Sequence, residues 1–336
     1  MYSTKRLKFL ALFFLLIPYF ASPQGFELHN GDLIFQQACS GESVGNAIKN
    51  VTQSAGSYQF THVGVVYIPD GKDSIFVIEA TIPEVRVVSL KEYLFKKGSG
   101  GCYPVSVAGR VKPAYQHCIP AALQEALKLV GKSYDYGFVL NNDKYYCSEL
   151  IYDIFMNANQ GKPVFELNKM TFRQKDSDQT DDNWIRYFSE KGLGIPEGEW
   201  GINPGAMSRS KVIDMLGEIH YSATRRGSSN TIYGLLTDSL GRCVHYASEK
   251  DIVANKCFVC KKYYACYQCH NLCENHLLSP WPVHLNDSSQ KIVLCGNCFR
   301  EISYQAYSRD YVCPLCRKDF NPKCALHKEI YFMFER

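Results

Sequence analysis

The C-terminal third of the chain is dominated by closely spaced cysteines and histidines. Of the 15 cysteines in the 336 residues, eleven lie between Cys243 and Cys324. Two cysteines separated by two residues form a turn that presents both sulfurs to one tetrahedral metal ion. Four such pairs, three interleaved histidines and one further cysteine supply twelve candidate metal ligands, which are Cys243, His245, Cys257, Cys260, Cys266, Cys269, His270, His276, Cys295, Cys298, Cys313 and Cys316. This spacing predicts a small, loop-rich, zinc-stabilised domain.

The number of ligands predicts about three zinc ions. The simplest four-ligand site consists of Cys295, Cys298, Cys313 and Cys316. The division of the other eight ligands between two ions stays open, because the pairs can interleave. A closed protein shell leaves no position for water, so the metal is expected to be structural. A disulfide scaffold is the alternative, but it does not need the histidines. Four residues are left over, namely Cys273, His284, Cys324 and His327, and the last two could substitute at the last site.

The N-terminus has the pattern of a secretory signal peptide. Basic residues are followed by the apolar run Phe9–Ile17 and then by Ala21, which is the usual order of such a peptide. The run is shorter than the roughly 20 residues that span a bilayer. We therefore predict a signal peptide at residues 1–24 and a secreted or periplasmic protein without a stable membrane span after cleavage. An uncleaved anchor is the alternative.

Length and composition indicate two globular domains. The chain is 46% hydrophobic and 21% charged, so it can bury a core. A net charge of +4 is too small to indicate a nucleic-acid partner. We predict an α+β domain at residues 25–221, a linker at 222–240 and the zinc domain at 241–336. The linker is inferred from the small polar segment 222–230.

A short turn predicts that a histidine and a carboxylate face each other in the first domain. Asp70-Gly71 separates two apolar strand patterns, 61–67 and 75–80, and is a common two-residue hairpin turn. With that turn, His62 lies directly opposite Glu79, at about 5 Å. The carboxylate would then orient the imidazole. A one-residue bulge would break this register.

Cys147 is the candidate nucleophile. It begins a predicted helix, Cys147–Ala158, whose apolar stripe contains Leu150, Ile151, Ile154 and Phe155. The positive end of a helix dipole stabilises a thiolate, and the free amides there can bind an oxyanion. With His62 and Glu79, Cys147 would form an activated nucleophile. The alternatives are a buried structural cysteine and a simple cross-strand pair.

The motifs of the first domain resemble a known hydrolase family. Thr61-His62-Val63-Gly64, Val77-Ile78-Glu79-Ala80 and Tyr145-Tyr146-Cys147-Ser148-Glu149 occur in the order expected of the YiiX/YaeF family. These are permuted papain-like, NlpC-related cysteine amidases. The resemblance implies that Cys147 is the nucleophile, His62 the base and Glu79 the orienting acid. It also implies amide or acyl bonds in small peptide-like, acylated or cell-wall-derived substrates.

The last domain resembles the CHY-type zinc finger. The resemblance lies in Cys243-Val244-His245-Tyr246, Ala265-Cys266-Tyr267-Gln268-Cys269-His270 and Cys313-Pro314-Leu315-Cys316. It implies that the twelve residues named above bind zinc and that the domain contacts a protein partner. Relatives of this domain are mostly intracellular, which is in tension with a signal peptide.

The sequence thus predicts an α+β chain in which a permuted papain-like (NlpC-related) hydrolase domain precedes a CHY-type zinc domain. The alternative function is a non-enzymatic interaction or metal- and redox-handling protein with an inactive papain-like scaffold. The join can also be a fusion of two neighbouring reading frames at segment 222–230. Two of Cys39, Cys102 and Cys118 can form a disulfide, but the sequence does not say which.

Overall fold

A computed structural model describes residues 25–334 except 40, 42, 72–73, 97–101, 176 and 285–287. The predicted signal peptide at residues 1–24 lies outside the described residues. In the described part of the chain, no helix has the length and apolar character needed to cross a membrane.

The N-terminal half is built on a six-stranded antiparallel sheet. Its strands, numbered in chain order, are β1 (Leu33–Gln37), β2 (His62–Tyr67), β3 (Phe76–Ala80), β4 (Val85–Ser89), β5 (Val105–Val111) and β8 (Ile213–Glu218). The order across the sheet is β4-β3-β2-β1-β5-β8. Because β1 and β2 are central, β2 starts inside the molecule and can position a side chain there.

Among the described residues, this half also contains seven helices and a small two-stranded sheet. They are α1 (Ser43–Val51), α2 (Leu90–Leu94), α3 (Pro113–Gln116), α4 (Ile119–Lys128), α5 (Cys147–Ala158), α6 (Asp182–Lys191) and α7 (Pro204–Ser208), with strands β6 (Asn168–Lys169) and β7 (Trp200–Gly201). Helices α4 and α5 pack together over one face of the sheet. Helix α5 has the predicted bounds, and its predicted apolar stripe is fully buried. The mixed α and β architecture is confirmed.

The predicted pairing of β2 with β3 is wrong by two residues. The observed register pairs Val65 with Ile78 and Tyr67 with Phe76, so its continuation places Gly64, and not His62, opposite Glu79. The connection is the longer segment 68–75. The reason is a contact from outside the hairpin: the Asn30 side chain accepts from the Ile68 amide at 2.6 Å and donates to its carbonyl at 3.1 Å.

The C-terminal half contains a second six-stranded sheet. Its strands are β9 (His220–Thr224), β10 (Thr231–Leu236), β11 (Val253–Lys256), β12 (Tyr263–Tyr264), β14 (Lys291–Cys295) and β15 (Glu301–Ser303). A separate parallel pair, β13 and β16, and the helices complete this half: β13 (Trp281–Val283), β16 (Phe332–Phe334), α8 (Tyr267–Cys273), α9 (Tyr304–Asp310), α10 (Lys328–Tyr331) and a 3-10 helix (Pro322–His327). The order across the sheet is β15-β14-β11-β12-β10-β9.

The segment predicted as a linker contains the end of one strand and the whole of another. Strands β9 and β10 pair antiparallel, with Thr224 opposite Thr231, and the small polar residues between them form the turn of a hairpin. A single residue, Ile219, separates β8 from β9. Ile232 and Leu236 of β10 are buried completely, so part of the predicted linker at 222–240 is a strand of the core.

One hydrophobic cluster joins the two halves. From the first sheet it takes the side chains of Ile34, Val66, Val77 and Ala108, and from the second half those of Ile232, Leu235, Val244, Ala254 and Leu294. Backbone contacts reinforce the junction, because the Leu28 amide donates to the Val244 carbonyl at 3.0 Å. The C-terminal half therefore covers the sheet face that α4 and α5 leave free.

Of the three cysteines left open by the sequence, two form a disulfide. Cys39 and Cys102 are joined, with 6.2 Å between their Cα atoms. Cys118 is a free, buried thiol.

Candidate active site and metal centres

Three elements bring the predicted catalytic residues together. His62 is the first residue of β2, Glu79 lies in β3 and Cys147 is the first residue of α5, which packs against both strands. His62 Nε2 and Glu79 Oε2 are 2.5 Å apart. The Cys147 thiol lies near the His62 ring, whose pKa it helps to raise, and the two side chains line one cavity. Cys147 and Glu79 are 7% and 2% exposed, whereas the His62 side chain is 22% exposed, so the thiol and the carboxylate are shielded from water and the imidazole is partly open to it.

Glu79 is held from a second side by Arg86, a residue that the sequence reasoning missed. Arg86 lies opposite Glu79 in β4 and donates to Glu79 Oε1 through Nε at 3.0 Å and through its terminal nitrogen at 2.8 Å. The other carboxylate oxygen remains for His62. No strand was predicted at 85–89, so the only available signal was the alternating apolar pattern that follows Pro83.

The charges of the site favour a protonated imidazole beside an ionised carboxylate. Burial alone would lower the pKa of His62, but the hydrogen bonds and charges of Cys147 and Glu79 raise it to about 9. Burial alone would raise the pKa of Glu79, but His62 and Arg86 lower it to about 2. At neutral pH, His62 therefore carries a proton, and Glu79 carries the charge that stabilises it.

The surroundings of the thiol limit negative charge at the start of α5. Tyr146 precedes the helix in an extended conformation, and its amide donates to the Glu149 side chain at 3.4 Å. Glu149 is buried, and this burial is the main reason that its pKa is raised to about 8. A neutral Glu149 does not oppose the positive end of the helix dipole at Cys147.

Two cavities meet at His62. The first cavity, about 300 Å³, is lined by Cys147, His62 and Tyr134 together with a mainly apolar wall. The second cavity, about 270 Å³, is lined by His62, Glu79, Tyr134 and Tyr93. The thiol lines only the first cavity, whereas the imidazole lines both.

The twelve predicted metal ligands form three groups of four. The groups are Cys243, His245, Cys266 and Cys269; Cys257, Cys260, His270 and His276; and Cys295, Cys298, Cys313 and Cys316. Within each group the ligand atoms lie within 4.8 Å of one another. The first two groups interleave along the chain, which resolves the division that the sequence left open. Cys324 and His327 do not take part in the third group, and both line a separate cavity.

The distances within these groups fit tetrahedral zinc. Tetrahedral bonds of about 2.3 Å to sulfur and 2.0 Å to nitrogen place two sulfurs about 3.8 Å apart and a sulfur and a nitrogen about 3.5 Å apart. The sulfurs of Cys243 and Cys266 are 3.8 Å apart, as are those of Cys295 and Cys316. Cys269 Sγ lies 3.5 Å from His245 Nδ1. The donor sets and their spacing therefore suit a tetrahedral metal ion with thiolate and imidazole ligands.

Comparisons with known proteins find a family match in the N-terminal half and relatives of two kinds. The family described as "permuted papain-like amidase enzyme, YaeF/YiiX" matches residues 27–216. The YiiX protein of Escherichia coli is 30% identical over 178 residues, which are 53% of this chain and 80% of that protein. A crystal structure entitled "metalloprotein yiiX", from Escherichia coli O157:H7, is 26% identical and covers 59% of this chain and 98% of its own, with a TM-score of 0.45.

Helper of Tim protein 13 of Kluyveromyces lactis is 42% identical over 102 residues, which are 30% of this chain and 88% of that protein. This length is comparable to that of the Cys/His-rich part beyond residue 216. The match contradicts the predicted secreted or periplasmic location, because Helper of Tim protein 13 is neither a secreted nor a periplasmic protein. With its family match across more than half of its length, the chain belongs to the permuted papain-like amidases of the YaeF/YiiX family.

Proposed function

We propose that the chain is a cysteine hydrolase that cleaves amide or acyl bonds of peptide-like substrates with Cys147, His62 and Glu79. The observation that carries this proposal is that a helix-terminal thiol lines the same cavity as an imidazole that is held by a buried carboxylate. Membership of an amidase family supports the same reaction class.

In the proposed reaction, Cys147 Sγ attacks the substrate carbonyl carbon as a thiolate. The carbonyl π electrons move to oxygen, and the free backbone amides at the start of α5 stabilise the oxyanion. When the oxyanion collapses, the carbon–nitrogen bond breaks, and His62 gives its proton to the departing nitrogen. A thioester on Cys147 and a free amine result.

Water completes the cycle. His62, now neutral, removes a proton from a water molecule that attacks the thioester carbonyl carbon. The carbon–sulfur bond then breaks, which releases the carboxylic acid and regenerates the thiolate–imidazolium pair. Throughout both halves, Glu79 positions the imidazole and stabilises its charge, and Arg86 positions Glu79.

Selective alkylation tests this proposal. At pH 6, iodoacetamide is expected to modify Cys147 in the full-length protein much faster than a free thiol with a pKa of about 8.5. Replacement of His62 by Ala removes that advantage. Cys118→Ala is the control, because Cys118 is buried outside the site. Peptide mass spectrometry identifies the modified cysteine. Ordinary reactivity of Cys147 would contradict the proposed mechanism.

We further propose that the three Cys/His groups hold three structural zinc ions in a CHY-type module. Each group supplies four protein ligands, so the shells are complete and the metal would stabilise the fold of the C-terminal half. Elemental analysis of the purified protein is expected to give about three zinc ions per chain. Fewer than two, or another metal, would contradict this assignment.

A protein-interaction role for the zinc module is a second candidate function. It is supported by the 42% identity to Helper of Tim protein 13, whose name describes assistance to another protein. Calorimetric titration of the full-length chain with purified Tim protein 13 tests this role. Saturable binding that is unchanged in Cys147→Ala would support it, and no heat of binding would exclude this partner.

A further inference from the structure

The first cavity combines a mainly apolar lining with a net positive charge. Apolar side chains line most of its depth, among them Val51, Phe138, Met170, Phe172 and Ile202. Three cations, Lys169, Lys175 and Arg209, also line it, and all three side chains are exposed at its rim. None of the described residues around this cavity is an aspartate or a glutamate. Within the described chain, none of the three cations forms an ion pair.

A buried donor without a partner also lines this cavity. Trp184 is 3% exposed, and its Nε1 has no hydrogen-bond partner among the described residues. A buried N–H without an acceptor is costly, so a ligand oxygen in the cavity would remove that cost. Asn168 Oδ1 is a second unpartnered atom of the wall, and it can accept from an N–H of the ligand.

The chemistry of thiol acylation decides which part of the substrate enters this cavity. The acyl carbon bonds to Cys147 Sγ, and the thiol lines only the first cavity. The departing nitrogen takes its proton from His62, which also faces the second cavity. Because only the first cavity contains the thiol, we assign the acyl arm to the first cavity and the departing amine to the second.

We propose that the enzyme selects substrates whose acyl arm is apolar near the scissile carbonyl and carries an anionic group, such as a carboxylate, farther along. The apolar stem fits the walls, and the anion faces Lys169, Lys175 and Arg209. Carboxylate oxygens are acceptors without donors, which matches the free Trp184 N–H. This inference rests on the proposed hydrolase function, because it assigns the acyl side from the position of Cys147.

Three matched substrates test the inference on the full-length protein. They are the aminomethylcoumarin amides of heptanoic, 6-carboxyhexanoic and 6-aminohexanoic acids, which share five methylenes and end in a neutral, an anionic and a cationic group. We expect kcat/KM for the anionic amide to exceed that for the cationic amide by about 10-fold at low salt, since each exposed ion pair contributes modestly. High salt is expected to reduce this preference.

Single substitutions distinguish the effect of the cations at the cavity from the effect of the general surface charge. Arg209→Gln and Lys169→Gln are each expected to lower the preference for the anionic amide over the heptanoyl amide by about 3-fold. Lys211→Gln is the matched control, because Lys211 is exposed nearby but does not line the cavity. Trp184→Phe keeps the ring and removes the N–H, and it is expected to weaken binding of the anionic amide by about 5-fold.

A binding measurement keeps this inference separate from catalysis. Fluorescence anisotropy gives the affinity of Cys147→Ala for the same three amides, and the anionic amide is expected to bind most tightly. If the wild type hydrolyses none of them faster than Cys147→Ala does, the proposed hydrolase function fails. If the neutral or cationic amide is preferred in both binding and turnover, or if Lys211→Gln acts like Arg209→Gln, the acidic acyl arm is excluded.

Discussion

His62 reaches Glu79 diagonally across the β2–β3 ladder, and the position directly opposite Glu79 belongs to Gly64. Side chains two residues apart on a strand point to the same side, so the imidazole remains on the side of the carboxylate. Because Gly64 has no side chain, the space between His62 and Glu79 stays open. A Cβ atom at Gly64 would lie 2.5 Å from Val77 Cγ1 and 3.0 Å from the Tyr93 ring.

We therefore expect Gly64→Ala to destabilise the protein and to disturb the catalytic pair. Relief of the overlap requires Val77 and Tyr93 to move within a packed region, at a cost of about 1–3 kcal/mol in the free energy of unfolding. Urea denaturation measures this cost, and alkylation of Cys147 at pH 6 reports the effect on the site. Gly194→Ala is the control, because an added Cβ there meets no atom within 4 Å. Equal stability of the two variants would show that β2 and β3 tolerate the displacement.

The pH dependence of activity follows from the protonated imidazole. The pKa of His62 is raised from 6.5 to about 9, so the active thiolate–imidazolium pair is expected to be lost as the pH rises through about 9. In Glu79→Gln, one of the groups that raise this pKa is neutral, and the alkaline limb of kcat/KM against pH moves to lower pH. Initial rates measured between pH 5 and 10 give kcat/KM at each pH and hence the shift of the alkaline limb.

The same histidine also links folding stability to pH. Because its folded-state pKa lies above the unfolded value, the stabilisation is fully present below pH 6.5 and is lost as the pH rises through about 9.

Glu92→Gln is a suitable control for the pH profile of Glu79→Gln, since the exposed Glu92 also accepts from Arg86, at 3.1 Å, but does not touch His62. An alkaline limb that stays in place in Glu79→Gln would mean that Glu79 has no electrostatic role.

The features that the sequence predicted well are local ones. The start of α5 at Cys147, its buried stripe and the C-x2-C pairs each depend on residues within a few positions of one another. Contacts between distant segments decided the remainder. Asn30 sets the end of β2, and Arg86 meets Glu79 only because β4 pairs with β3. Cys257 and Cys260 form a metal group with His270 and His276, and not with the nearer pair Cys266 and Cys269. The spacing of the cysteines alone did not predict this choice, because it depends on how α8 packs.

Segment 222–230 shows why the sequence predicted a linker where the structure has two paired strands. Small polar residues are typical both of linkers and of hairpin turns, and only the packing of the flanking strands distinguishes them. The apolar residues of β10 identify it as a strand of the core, because they pack against the face of the first sheet that α4 and α5 leave free. Ile34 and Val66 of the first sheet share one hydrophobic cluster with Ile232 and Val244 from the second half.

This shared cluster makes a prediction about metal removal. Cys243, Cys266 and Cys269 of the first metal group are members of the cluster that joins the halves, whereas Cys313 of the third group lies in a separate core. We expect both Cys269→Ser and Cys313→Ser to lose one of about three zinc ions. Only Cys269→Ser is expected to loosen the papain-like half, because Ile34 and Val77 then lose part of the layer that covers them.

Hydrogen exchange with mass spectrometry distinguishes the two variants. Amides of β1, β2 and β3 are expected to exchange at least 10-fold faster in Cys269→Ser than in the wild type, and at the wild-type rate in Cys313→Ser. In Cys313→Ser the increase is expected within residues 281–334, around the third group. The two serine substitutions are matched in size and chemistry, so their difference reports position. If β1–β3 exchange at the wild-type rate in both variants, with the zinc loss verified, the two halves are energetically independent despite their common core.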